Sequence, residues 1–192
     1  MIELLRRGFD EEVTDRALAE ALRRSASVSI EQSERLAAEL APFVRAIPDA
    51  LRCALAMSKD PRCGRAVAFA TGAILNYLFD EDDLLPESSF GAIGLLDDAY
   101  LVHAFVGMLI QTYPFVDVSG ASYAAPDRRS FEIVDALLPE GVTQALLRTC
   151  ESTIQVARAF SPPAHGLDAV GPGIRPAIRI DAALKALGSV GT

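Results

Sequence analysis

Seven carboxylates crowd into the nineteen residues from Asp80 to Asp98, with no lysine or arginine among them. They are Asp80, Glu81, Asp82, Asp83, Glu87, Asp97 and Asp98. Like charges at this density either give up some ionisation or recruit a cation. If the chain doubles back between the two groups, Asp83, Asp97 and Asp98 converge, with Glu87 as a further candidate. Such a set suits a hard divalent cation, Mg²⁺, Ca²⁺ or Mn²⁺. The same residues admit two structural readings. Asp97 and Asp98 fall where a helix should begin, and exposed N–H groups there favour carboxylates. Alternatively, Asp83 or Asp98 accepts backbone N–H groups across the turn and locks it. An EF-hand loop is excluded: counting from Asp80, the fifth residue is Leu84 and the sixth is Leu85, where glycine is required.

Other reactive side chains are sparse. His103 stands five residues after Asp98, so on a helix the two point to different faces. It reads as a buried, hydrogen-bonded histidine. His165 lies in a Pro/Gly-rich stretch and reads as solvent-exposed. Cys63 falls between Arg62 and Arg65, in the first turn of a helix expected after Pro61. A helix N-terminus and nearby cations lower a thiol pKa, but no base lies within sequence reach. The three cysteines, Cys53, Cys63 and Cys150, have no CxxC spacing, and any disulfide would leave one over. They read as free, buried thiols of a reducing compartment. No GxSxG, HExxH or P-loop pattern occurs. Gly91-Ala92-Ile93-Gly94 is too short for a phosphate fingerprint and follows no strand.

Charge is distributed unevenly. The net charge is −8, yet no base occurs between Arg65 and Arg128, a window that holds nine of the 26 acids. The other 17 acids are matched by 18 bases, so the excess negative charge sits in that one window. Nonspecific nucleic-acid binding is disfavoured. An acidic surface instead suits a basic protein partner.

The elements that must position these residues are two uncharged segments. Residues 66–79 run for 14 residues without a charge, and residues 99–116 for 18. Each is apolar nearly all round, so each is expected to be enclosed. Spanning a bilayer takes roughly 20 apolar residues. The second segment also contains His103, Gln111, Tyr113 and Pro114. Central helices of a bundle are therefore the primary expectation, and a shallow or re-entrant membrane hairpin the alternative. Around them, Asp10 is expected to cap a helix to about Arg24. Ser29 and Gln32 form a capping-box pattern for a helix limited by Pro48. Pro48 opens a short helix to about Ser58, and Asp60-Pro61 a helix to about Phe79. Leu95 or Asp97 begins the next, ending near Tyr113-Pro114. Residues 117–126 read as a loop. Pro126 or Asp127 starts a helix that Pro139 breaks, and a last long helix runs from about Pro139 to Phe160. No alternating strand pattern appears, and alanine and leucine dominate the apolar content. The expectation is an all-α helical bundle around a hairpin of two apolar helices joined by an acidic turn. It forms a single domain over residues 1–160. Residues 161–192 form a Pro/Gly-rich arm, with a short helix from about Asp181 to Leu187.

The hairpin carries a recognisable pair of motifs. Asp83-Leu84-Leu85-Pro86-Glu87 precedes a short linker, and Gly94-Leu95-Leu96-Asp97-Asp98 opens the second apolar helix. In order and spacing this resembles the YkvA-like family of small bacterial helical domains, over residues 68–103 only. The resemblance implies a helix-turn-helix hairpin in the geometric sense, held by Asp83, Pro86, Glu87, Gly94, Asp97 and Asp98. It implies membrane association for some members, and it brings no established activity.

The sequence therefore points to a non-enzymatic binding or scaffold module that acts through a protein partner, a homo-oligomer or peripheral membrane contact. A divalent-metal protein using Asp83, Asp97 and Asp98 is the alternative. The N-terminal residues turn acidic without a secretory apolar run, so a cytoplasmic location is expected.

Overall fold

The structure, a computed structural model, describes residues 15–25, 28–79, 94–118, 120 and 123–160. Seven α-helices and no strand occur among them. The fold is an all-α helical bundle. We number the helices α1 (Asp15–Ser25), α2 (Ile30–Arg45), α3 (Ile47–Met57), α4 (Gly64–Leu78), α5 (Gly94–Thr112), α6 (Arg128–Leu137) and α7 (Val142–Phe160). Together they bury one hydrophobic cluster.

The cap signals translate directly into helix ends. Ser29 Oγ accepts the Gln32 N–H at 3.2 Å, and Gln32 Oε1 accepts the Ser29 N–H at 3.0 Å. This is the reciprocal capping box at the start of α2. At the far end of α2, Pro48 has no N–H to offer the carbonyl four residues back, so α2 and α3 part at Ala46. Asp127 caps α6 by accepting the Ser130 N–H at 2.9 Å. Gly141, with φ +84°, makes the turn from α6 into α7, a conformation in which glycine has no Cβ penalty.

The corner between α3 and α4 differs from expectation. Asp60-Pro61 suggests a helix from Pro61, but α4 begins at Gly64. The Asp60 carboxylate accepts the Arg62 N–H at 2.8 Å and two guanidinium N–H groups at 3.0 and 2.6 Å. That local turn takes the place of the first helical turn. The Gly64 N–H donates to the Asp60 carbonyl at 2.6 Å. Arg62 also donates to the Phe115 carbonyl at 3.0 Å and lies 4.3 Å over the Phe115 ring. One side chain thus ties this corner to the loop after α5.

α5 is the central helix. Every residue from Gly94 to Val106 is buried. Phe105, Leu96, Leu101 and Leu109 are among the largest fully enclosed side chains. Burying each such side chain is worth roughly 1.5–3 kcal/mol. α3 packs on one side of α5 and α7 on another. Phe131 of α6 sits edge-on to Tyr100 of α5 and Phe43 of α2, at 5.3 and 5.2 Å between centroids. The hairpin pair, α4 and α5, touch each other only slightly; α7 packs extensively against both. Among the described residues no helix is long and apolar enough to cross a membrane. The arm and terminal helix expected in residues 161–192 lie outside the described residues, as do Asp10 and the first turn expected of α1.

Candidate interaction surface

The acidic turn is the natural starting point, and the structure describes only its second half. Asp83, Pro86 and Glu87, together with Asp80, Glu81 and Asp82, lie outside the described residues. Gly94 is the first residue of α5 and is buried. The helix therefore starts before Leu95 and before Asp97, extending far enough to bury Leu95 and Leu96. Asp97 and Asp98 become its fourth and fifth residues, so neither is the N-cap. Both are nonetheless enclosed, at 0% and 2% exposure. The Tyr77 hydroxyl, in the last turn of α4, donates to Asp97 Oδ2 at a long 3.4 Å. Asp97 thus links the end of α4 to the start of α5. Among the described residues no group of three or more His, Cys, Asp or Glu side chains is placed to hold a metal ion.

His103 is the polar centre of the core. Its Nε2 lies 2.8 Å from the Phe43 carbonyl and its Nδ1 lies 3.1 Å from the Tyr123 hydroxyl. A carbonyl only accepts, so Nε2 carries the proton and Nδ1 accepts from Tyr123. The Phe43 carbonyl belongs to the last turn of α2, which lacks intrahelical donors. His103 therefore caps α2 from the side. Its ring stacks on Tyr123 at 5.8 Å and tilts against Phe43 at 4.6 Å. Burial holds its pKa down at about 4, against a smaller upward pull from the Phe43 hydrogen bond. Burial also pushes up the Tyr123 hydroxyl. The sequence marks His103 as buried and bonded; Tyr123, in an Ala-rich loop, gives no sign of its role.

The thiols are unsuited to nucleophilic work. All three cysteines are free and buried. Cys63 precedes α4 rather than lying in its first turn, and its pKa is raised by burial and by the Asp60 charge, outweighing Arg62. The activation expected of a helix N-terminus with flanking arginines is absent there. Cys150 donates to the Leu101 carbonyl at 3.5 Å, and burial raises its pKa. An open cleft lined by Asp15, Arg16, Ala19, Glu20, Arg23 and Glu34 lies beside α1. It holds the exposed Arg16–Glu20 ion pair, at 3.1 Å.

The largest departure from expectation is α4. An uncharged helix is expected to be enclosed, and α4 is not. Ala66, Val67, Ala70, Thr71 and Ile74 face the core, whereas Arg65, Ala68, Phe69, Gly72, Asn76 and Phe79 are exposed. At 100° per residue these six positions fall on one stripe. Phe69 is 51% and Phe79 57% exposed. A Cβ added to Gly72 would meet nothing within 4 Å, so the middle of the stripe is open.

No family model, curated protein or solved structure matches this chain. The surface must therefore be read on its own chemistry. An outward helix face normally carries charge. This one carries two aromatic rings and small residues, with Arg65 as its one charged side chain, and it leads straight into Asp80, Glu81, Asp82 and Asp83.

Proposed function

We propose that this protein is a non-enzymatic helical interaction module that acts through a protein partner. Its contact surface is the outward face of α4 together with the acidic turn that follows. The exposed, nearly uncharged stripe of α4 carries this reading. It combines an apolar centre with a strongly acidic flank, the combination that a basic, partly apolar protein surface complements. In this reading the motif residues Asp83, Pro86, Glu87, Gly94, Asp97 and Asp98 fix the hairpin rather than perform chemistry. The buried, neutral His103 and the buried thiols support the same view, since neither offers an accessible acid, base or nucleophile.

The test is recovery of a stoichiometric partner from cells with the intact chain. Charge reversal at Asp80, Glu81 and Asp82 to lysine should abolish recovery, and rising salt should weaken it. Unchanged recovery from the triple variant would sink the reading.

A divalent-cation protein is the second reading. It draws on the burial of two adjacent carboxylates, Asp97 and Asp98, near the start of α5. Thermal melting with EDTA, then with Mg²⁺, Ca²⁺ or Mn²⁺, decides it. Native-state binding at a hundredfold excess over the dissociation constant adds roughly 2.7 kcal/mol of stability. No shift with any of the three ions removes it.

A further inference from the structure

We draw no further inference here: the strongest candidate, the outward stripe of α4 around Gly72, belongs to the contact surface already described, and nothing in the structure shows what covers it.

Discussion

His103 shows how one side chain can hold three elements. It belongs to α5, donates to the end of α2 and accepts from Tyr123 in the loop before α6. Removing it leaves the buried Phe43 carbonyl and the half-buried Tyr123 hydroxyl without this partner, so His103→Ala should destabilise by about 2–4 kcal/mol in urea unfolding. Its pKa in the fold, about 4, lies below the ordinary 6.5. Between those values the unfolded chain binds the proton and the folded one does not. The contribution is intact above pH 6.5 and is lost as pH falls toward 4, by about 3 kcal/mol in all. Urea midpoints measured at pH 7 and pH 4.5 should diverge in the wild type, and less so in His103→Gln. Gly64 is a second decisive position. A Cβ there would stand 2.2 Å from the Ser58 carbonyl oxygen, a backbone atom that cannot swing away. Gly64→Ala should therefore destabilise by about 2–4 kcal/mol. Nothing in the sequence separates Gly64 from the other glycines, because its constraint comes from a carbonyl six residues back and from the path of the corner.

At the level of elements, the sequence was most legible where the signal is local. Ser29 with Gln32 forms its capping box as the spacing predicts, and Asp127, one of the two expected helix starts, caps α6 through the Ser130 N–H, because capping involves only residues a few positions apart. Ser29→Ala should accordingly lower the melting midpoint by an amount equivalent to about 1 kcal/mol. Asp60-Pro61 misled for an equally local reason: the Asp60 carboxylate is taken up by Arg62. The apolar helices were readable as helices but not in their surroundings. α5 is enclosed as its composition implies, whereas α4 turns Phe69 and Phe79 outward. Absence of charge shows only that a face avoids charge; it does not say whether the covering surface belongs to the same chain. The hairpin idea likewise identified two neighbours in sequence and could not foresee that α7 packs against both. Of the candidate site, Asp97 and Asp98 were legible as a pair, but their burial and the bond from Tyr77 depend on how α4 and α5 meet.

Over the whole molecule the dominant asymmetry is electrostatic. The base-free window from Arg65 to Arg128 holds the excess negative charge, and salt screens the repulsion between like charges, with a Debye length of about 10 Å at 0.1 M. Raising sodium chloride from low to moderate concentration should therefore raise the melting temperature. Asp80→Asn with Asp82→Asn should reduce that salt dependence, as read by thermal melts across a salt series.

The position of α7 also determines when the molecule can fold. α4 and α5 have little contact with each other, and α7, which begins 30 residues after α5 ends, supplies the surface that both pack on. The hairpin is therefore not a self-sufficient folding unit, and a nascent chain must wait for α7 to emerge before the central helix is sealed. A fragment ending at Gly141 should exchange its α5 amides rapidly, whereas in the full chain those amides should be among the last to exchange. The final described helix is thus the closing piece of the core.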